Sequence, residues 1–244
     1  MRDILDYTEK YNEYSFETYQ VKYRRKKVIE EIEKYKPSSI LEIGCGDNPL
    51  FLDVLGVDFT IVEPSSYFAS NAIRLSNKYK RNVKVICDFF ENTIDNHNGY
   101  DMIICSALLH EIEKPLDFLL NLFSICDTDT IIHINVPNAN SMHRILALES
   151  GLISSKYDMT KRNIELQQNS VFDVKTLSGL VCNAGGTVID SGTFFIKPFS
   201  HAQMLDLLNS EIITEKVLDG FYNISRYMPD LGSELYVTCK KEDS

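Results

Sequence analysis

The sequence predicts an α/β protein whose parallel sheet is covered by helices on both faces. Short apolar runs of strand length alternate with segments of helical character between about residues 38 and 137. Strands that are joined through helices pair in parallel, and such sheets are buried on both faces. Three successive strand candidates end on a glycine turn or on an acidic residue. Ligands of this fold class bind at the carboxyl ends of the strands, so we expect a ligand site along that edge.

The first 36 residues predict one or two helices ahead of the sheet. Pro37 ends this segment. The basic run 22–27 is followed by glutamates at helical spacing, which predicts a solvent-facing helix surface rather than a nucleic-acid site. Aromatic residues recur every three or four positions, as on a packing face or as a lid over a flat ligand. They are Tyr7, Tyr11, Tyr14, Phe16, Tyr19 and Tyr23.

The first strand candidate runs into a tight glycine turn, and the rest of the chain is organised around it. Ile40, Leu41 and Ile43 supply an apolar strand, and Gly44 and Gly46 follow it. Glycine reaches φ > 0 without strain and lets a ligand lie against bare peptide groups. Glu42 stands just ahead of the turn, where a buried carboxylate needs a partner. A turn that binds nothing is the alternative at this point.

The remaining elements follow in order. The next strand candidates are 57–63, 83–88, 101–105 and 130–136, with helices at 64–79 and 115–126 between them. The alternation ends at Pro137, after which a polar helical insertion is expected over 139–168. A helix at 173–183, a strand at 187–196, a helical stretch at 200–227 and a strand at 234–239 complete the chain.

Composition limits the classes of partner. A net charge of -10 argues against a nucleic-acid surface, which needs a basic face. No apolar stretch approaches the roughly 20 residues of a membrane span, and the charged start has no signal-peptide run. We expect a cytoplasmic protein, as a monomer or homodimer. Six scattered cysteines without a Cys-x-x-Cys pair predict reduced thiols in a core rather than disulfides or zinc.

The order of strand-end groups suits an adenosyl ligand. Glu63, at the end of the second strand, can accept hydrogen bonds from both ribose hydroxyls. Asp88, at the end of the third strand, can accept from the exocyclic amine of adenine, with Phe89 beside the base. The sequence resembles the class I S-adenosylmethionine-dependent methyltransferases. Segments 41–46, 62–65, 86–89 and 106–110 match four successive family motifs, and the resemblance covers about residues 38–137.

This resemblance implies a Rossmann-like sheet of seven strands in the order 3-2-1-4-5-7-6, with the last strand antiparallel. It also implies S-adenosyl-L-methionine as the cofactor and S-adenosyl-L-homocysteine as its product. Asn48 replaces the third glycine of many members. The implied cofactor residues are Glu42, Gly44, Gly46, Glu63, Asp88, Phe89 and Ser106.

On this basis we expect a single domain over residues 1–244. It would comprise a helical lid at 1–36, the cofactor-binding core at 37–137, a helical cap insertion at 138–170 and the C-terminal part of the sheet with substrate-side helices at 171–244. The tail resembles a bacterial subset associated with small-molecule or saccharide modification, through segments 136–143, 151–153 and 197–204. Residues 167–172 depart from its Gly-His-x-Arg-Val pattern, so no role of that His and Arg transfers.

Methyl transfer to a hydroxyl needs orientation and a base. His110 is the candidate base because it follows the fourth strand, although a histidine that caps a helix or binds a backbone carbonyl is an equal alternative. His133 lies within a strand and is expected to be a satisfied core histidine. Cationic and polar side chains point to an anionic acceptor such as a phosphate-bearing molecule or a saccharide. These substrate candidates are Asn138, His143, Arg144, Lys197 and His201.

Other functions are weighed against this one. His110 to Lys114 resembles a zinc-protease motif but lacks the second histidine, so no metal site is expected. A small-molecule N-methyltransferase is one alternative. A nicotinamide-dependent oxidoreductase is another, since Glu63 would also suit an NAD ribose, but the Gly-x-Gly-x-x-Gly pattern is missing. A non-catalytic subunit that keeps the ligand site is the third.

Overall fold

The computed structural model describes Ile4 and residues 16–242, except the side chain of Arg162. Tyr7, Tyr11 and Tyr14 of the predicted aromatic face lie outside these residues. Within them a seven-stranded sheet has the order β3-β2-β1-β4-β5-β7-β6, which confirms the predicted topology. The strands are β1 (Ser39–Ile43), β2 (Asp58–Val62), β3 (Val83–Ile86), β4 (Met102–Ser106), β5 (Ile131–Pro137), β6 (Gly186–Phe194) and β7 (Glu234–Lys241).

Strands β1 to β5 pair in parallel, and β7 runs antiparallel to both β5 and β6. The carboxyl ends of β1, β2 and β4 therefore meet at one edge of the sheet. The registers place Ile43 beside Val62 and Ser106 beside Asn135. The last strand of the chain is antiparallel, as the family resemblance implied.

Helices cover both faces of the sheet. Side chains alternate along each strand, so Ile40 and Ile104 pack with Val28 and Ala72 on one face. Leu41 and Ile103 pack on the opposite face with apolar side chains of two other helices. The helices are α1 (Glu17–Tyr35), α2 (Ser66–Lys78), α3 (Pro115–Ser124), α4 (Met142–Glu149), α5 (Lys161–Glu165), α6 (Val174–Asn183), α7 (His201–Asn209) and α8 (Glu215–Asn223).

Local sequence signals explain where several helices begin. Pro115 opens α3 at a position where its missing N–H costs nothing. The Ser65 side chain accepts from the Phe68 amide at the start of α2. Asp173 and Ser200 each form a reciprocal capping box, at α6 and α7 respectively. These caps lie where the residue pattern predicted helices to start.

Two helical predictions were too continuous. The insertion over 139–168 contains two short helices, because Gly151 takes a left-handed conformation with φ of 71° soon after α4 ends. The stretch over 200–227 divides into α7 and α8, because Glu211 is left-handed with φ of 57°. The glycine turn after β1 leads into a single 3₁₀ turn, Leu50–Leu52.

The basic run of α1 is only partly solvent-facing, which corrects the sequence prediction. Lys22 and Lys26 are exposed, whereas Arg24, Arg25 and Lys27 turn toward the protein. Arg24 donates to both carboxylate oxygens of Glu234, with Nε at 2.9 Å from each. The acidic partner is 210 residues away in sequence, so helical spacing could not identify it.

No helix within the described part of the chain has the length and apolar content needed to cross a bilayer.

Two glycine-to-alanine substitutions should change stability in opposite directions. A Cβ on Gly232 would lie 2.4 Å from the Phe194 amide nitrogen and 2.5 Å from its carbonyl oxygen. Gly232→Ala should therefore lower the free energy of unfolding by about 1 to 3 kcal/mol. Gly220 lies exposed within α8 with open space around its Cβ, so Gly220→Ala should raise stability by about 0.5 to 1 kcal/mol. Urea unfolding of both variants measures this; equal effects would contradict the packing at Gly232.

Candidate functional site

A cleft of about 1520 Å³ opens at the carboxyl ends of the parallel strands. Its walls include Gly44 after β1, Glu63 after β2, Ser106 at the end of β4 and Pro137 at the end of β5. Pockets for single small ligands usually occupy about 300 to 1,000 Å³. The volume is therefore large enough for two ligands side by side.

The glycine turn forms one wall of this cleft with bare backbone. Gly44 and Gly46 have φ angles of 79° and 54°, which favour glycine because other residues are strained there. The Gly44 amide donates to the Val62 carbonyl at 2.9 Å, so the turn continues the β1–β2 pairing. A Cβ on Gly46 would meet no atom within 4 Å. This open surface can accept a close ligand.

Glu63 is buried and holds the turn from the adjacent strand. One carboxylate oxygen accepts from the Gly46 amide at 3.1 Å, and the other accepts from the Ser65 amide at 2.9 Å. A carboxylate oxygen can accept more than one hydrogen bond, and Glu63 lines the cleft. A fixed carboxylate beside bare backbone fits the ribose of an adenosyl ligand.

Glu42 is buried below the same turn and is chemically distinct from Glu63. Its two oxygens accept from the Leu50 amide at 3.3 and 3.1 Å. Burial, together with a smaller contribution from the negative charge of Glu63, raises the pKa of this carboxyl from 4.5 to about 7. The Leu50 amide and the positive charge of Arg25 act against this rise in pKa. An added ligand cation at Glu42 would favour its charged form in the same way.

The other predicted cofactor residues separate into two groups. Phe89 and Ser106 line the cleft. Asp88 does not appear among the described cleft residues, because β3 ends at Ile86 and the Asp88 carboxylate turns back on its own loop. It accepts from the Phe89 amide at 2.7 Å and from the Asn92 side chain at 2.8 Å. Asp88 thus braces the loop that presents Phe89.

His110 is buried and lines the cleft after β4. The preceding Ala107 is left-handed, with φ of 53°, which turns the chain sharply at the strand end. The His110 carbonyl accepts from the amides of Asn169 at 2.8 Å and Ser170 at 3.1 Å. Its Nε2 lies 3.9 Å from Oε1 of Glu111. The imidazole therefore sits beside a buried carboxylate on a segment fixed by the insertion.

The predicted substrate residues all line the cleft, but their side chains have different surroundings. Asn138 donates to the carbonyls of Asp230 and Gly232, at 3.0 and 2.8 Å, and so braces the wall. Arg144 donates to the carbonyls of Lys156 and Asp158, at 2.9 and 2.6 Å, inside the insertion.

The other three substrate residues are His143 on α4, Lys197 just before α7, and His201, the first residue of α7. His201 lies 3.7 Å from a carboxylate oxygen of Glu17 and packs against Phe16. Lys197 is 3% exposed, so it is the most deeply buried of the predicted cations. His143 is partly buried on α4. Lys197 combines charge and burial in a way that suits recognition of an anionic group.

Sequence reasoning missed several polar residues of the cleft. Gln20, Arg24 and Arg25 of α1, together with Glu111 and Glu234, line its walls. Glu111 could have been found from its place beside His110. The others gave no signal, because α1 meets the sheet only after the chain has folded.

His133 lies inside the sheet, apart from the described cleft residues. Its Nδ1 is 3.2 Å from the Thr238 hydroxyl oxygen, and its ring stacks on Tyr236. Burial lowers its pKa from 6.5 to about 3. The histidine is therefore a neutral core residue, as its strand position indicated. Its ring is satisfied only at Nδ1, because the buried Nε2 has no hydrogen-bond partner among the described residues.

Comparisons with known proteins agree with this geometry. A family model described as a methyltransferase domain matches residues 16–191. The ubiquinone biosynthesis O-methyltransferase of Rickettsia bellii (strain OSU 85-389) is 23% identical over 178 residues, which cover 64% of this chain and 72% of that protein.

Solved structures share the fold. An S-adenosylmethionine-dependent methyltransferase from Clostridium acetobutylicum ATCC 824 superposes with a TM-score of 0.59 at 8% identity, covering 91% of this chain and 92% of the other. The plantazolicin methyltransferase BpumL, in complex with a monoazolic desmethylPZN analog and SAH, gives a TM-score of 0.54 at 21% identity, covering 97% and 88%.

Removing the Glu63 carboxylate should weaken adenosyl binding. Glu63→Ala leaves ligand hydroxyls and the Gly46 amide without their acceptor, which costs about 1 to 3 kcal/mol, or roughly five- to hundredfold in affinity. Calorimetry with S-adenosylhomocysteine measures the change. Glu33→Ala, on an exposed position of α1, is the control with the same charge change. Equal affinity of the two variants would remove Glu63 from the ligand site.

Neutralising Glu42 should stabilise the fold at alkaline pH. Its pKa is raised from 4.5 to about 7 by folding, so its stabilising contribution is complete below about pH 4.5 and is lost as pH rises through 7. Relative to wild type, Glu42→Gln should gain about 3 kcal/mol between pH 4.5 and pH 8. Urea unfolding at both pH values tests this against the exposed variant Glu33→Gln. A pH-independent difference would contradict the raised pKa.

Proposed function

The chain belongs to the class I S-adenosylmethionine-dependent methyltransferases, and we propose that it methylates an oxygen atom of a small-molecule acceptor. One observation carries the proposal: the bare glycine turn and Glu63 share a single cleft with His110 and a polar far wall. The far wall is the part of the cleft formed by Gln20, Arg24 and Glu234. Cofactor and acceptor can therefore bind next to each other in one cleft. The curated relative in Rickettsia bellii, named as an O-methyltransferase, supports oxygen as the acceptor atom.

Residues of the glycine-turn side would hold the cofactor. Glu63 is placed to accept from the ribose hydroxyls, and Phe89 presents an aromatic ring from the loop that Asp88 braces. Glu42 supplies a buried carboxylate for a ligand ammonium. The set proposed to contact the cofactor is Glu42, Gly44, Gly46, Glu63, Phe89 and Ser106. Asp88, predicted to bind adenine, instead supports this set from outside the cleft by bracing the Phe89 loop.

The chain's own contribution to the reaction is orientation and proton removal. Bound S-adenosylmethionine supplies a methyl group on a positively charged sulfur. The cleft walls must align the acceptor oxygen with the bond to that methyl group, and such orientation can lower a barrier by about 7 to 11 kcal/mol at best.

His110 is proposed to take the proton from the acceptor hydroxyl. It lies in the 3₁₀ turn Leu109–Glu111 that follows β4, and it lines the cleft. The Glu111 carboxylate, 3.9 Å from Nε2, would stabilise the imidazolium that forms when the proton arrives. The backbone bonds from Asn169 and Ser170 hold the His110 segment in place.

The acceptor is proposed to be a saccharide or a phosphate-bearing precursor. Lys197 supports this because a buried cation at the cleft wall can bind an anionic or strongly polar group. His201 and His143 line the same cavity, whereas the Nε and Nη2 donors of Arg144 are bound to carbonyls of the insertion. Asn138 contributes by shaping the wall rather than through unused donors.

The alternatives differ in what they require from the cleft. A nitrogen acceptor has a lone pair and needs less help from a base, so the importance of His110 distinguishes it from an oxygen acceptor. The family match favours methyl transfer over hydride transfer to NAD. Calorimetry with S-adenosylhomocysteine and NAD tests this, and preferred binding of NAD would overturn the proposed cofactor.

The acceptor can be identified by isotope transfer. Purified protein is incubated with methyl-deuterated S-adenosylmethionine and a deproteinised metabolite extract, and labelled products are found by mass spectrometry. We expect a labelled O-methyl ether or ester. A labelled amine would establish the nitrogen alternative, and cofactor binding without any labelled product would favour the non-catalytic subunit.

Replacing His110 should slow the chemical step without weakening cofactor binding. Loss of a positioned base typically costs about 10²- to 10⁴-fold in rate, so His110→Ala should lower kcat in that range on the identified acceptor. Its affinity for S-adenosylhomocysteine should stay within about twofold. A loss of less than about threefold across pH would assign His110 a structural role or indicate a nitrogen acceptor.

A further inference from the structure

We propose that Arg25, on helix α1, is a positioning residue for the cofactor. It fixes the segment after the glycine turn, and its positive charge stabilises the Glu42 carboxylate. The inference rests on the proposed function, because it concerns the cofactor side of the cleft. It assigns a role in cofactor binding to helix α1, which lies outside the strand-turn motif.

The side chain of Arg25 grips the segment that follows the glycine turn. Its Nη1 donates to the Asn48 carbonyl, and its Nη2 donates to the Pro49 carbonyl at 2.8 Å. Its Nε pairs with the Asp53 carboxylate. A planar guanidinium with several fixed donors is suited to hold consecutive carbonyls. The segment after the glycine turn is thus held by α1 at three residues.

Glu42 holds the same segment from the opposite side. Its carboxylate accepts from the Leu50 amide, while Arg25 binds the two carbonyls just before Leu50. The segment is therefore held by the buried carboxylate of Glu42 and by the partly buried guanidinium of Arg25. Because this segment continues directly from Gly44 and Gly46, its position sets the shape of the bare backbone wall.

The two side chains are also coupled through charge. Glu42 is buried, and the positive charge of Arg25 favours its ionised form, whereas Glu63 disfavours it. The described turn has two further titratable residues. Burial raises the pKa of the Cys45 thiol so that it stays neutral, and the exposed Asp47 carboxylate accepts from the Asn71 side chain at 3.0 Å. Together with the Leu50 amide, Arg25 therefore favours the charged form of Glu42, which a ligand ammonium would need.

Arg25 gives α1 a second attachment to the cleft. The neighbouring Arg24 binds Glu234 on β7, at the far wall. Adjacent arginines of one helix thus contact the segment after β1 and the start of β7, two strands that lie three positions apart in the sheet. Cofactor affinity should consequently depend on α1, although the strand-turn motif alone would not suggest it.

Binding of S-adenosylhomocysteine by the full chain tests this inference. Arg25→Gln should weaken binding at least tenfold at pH 8, as measured by calorimetry. Without the positive charge, Glu42 titrates at higher pH, so the ratio of wild-type to variant affinity should widen as pH falls from 9 to 6. Arg25→Lys keeps the charge but loses the fork, so its affinity should be lower by a ratio that is constant with pH.

Lys22→Gln is the matched control, because it removes a cation from an exposed position of the same helix, where Lys22 pairs with Glu215. It should bind within twofold of wild type at every pH. Urea unfolding checks that each variant is folded, and Arg25→Lys carries the test if Arg25→Gln is not. The inference is overturned if Arg25→Gln matches the control, if its affinity ratio is independent of pH, or if Arg25→Lys binds like wild type. A wild-type protein that does not bind S-adenosylhomocysteine would instead overturn the proposed function.

Discussion

The hydrogen bond between the Glu63 carboxylate and the Gly46 amide is the interaction on which the cleft depends. It links the ends of β1 and β2 at the point where the backbone must remain bare. Glu42 adds a second anchor through the Leu50 amide. Both acids are buried, so each needs these donors to offset its desolvation. The carboxylates that stabilise the turn are therefore also fixed in position at the wall of the cleft.

The far wall is organised by a different carboxylate. Glu234 accepts from Arg24, from the Gln20 amide at 3.1 Å and from the Asn135 amide at 3.1 Å. One buried acid thus joins α1 to two strands. A buried carboxylate that lost one of these donors would be strongly destabilising. These hydrogen bonds to Glu234 explain why α1 packs on the protein through polar side chains as well as through Tyr23 and Val28.

Particular residues show how far local pattern reaches. The strand that ends at Ile43, the left-handed glycines and the caps at Asp173 and Ser200 depend on neighbours within a few positions, so they could be predicted. Asp88 shows the limit. Its place after the third strand was foreseen, but its carboxylate binds Phe89 and Asn92 because β3 stops earlier than its apolar run suggested.

The sequence by itself determined the alternation of strands and helices, the glycine turn and the acids at the strand ends, since these follow from periodicity and backbone preference over short distances. The topology followed from the family resemblance. Only the tertiary structure decided that Arg24 and Arg25 face the cleft, that Arg144 is bound within the insertion and that Lys197 is buried. The physical reason is that a charged side chain is directed by partners that are distant in sequence, and those partners become neighbours only in the folded chain.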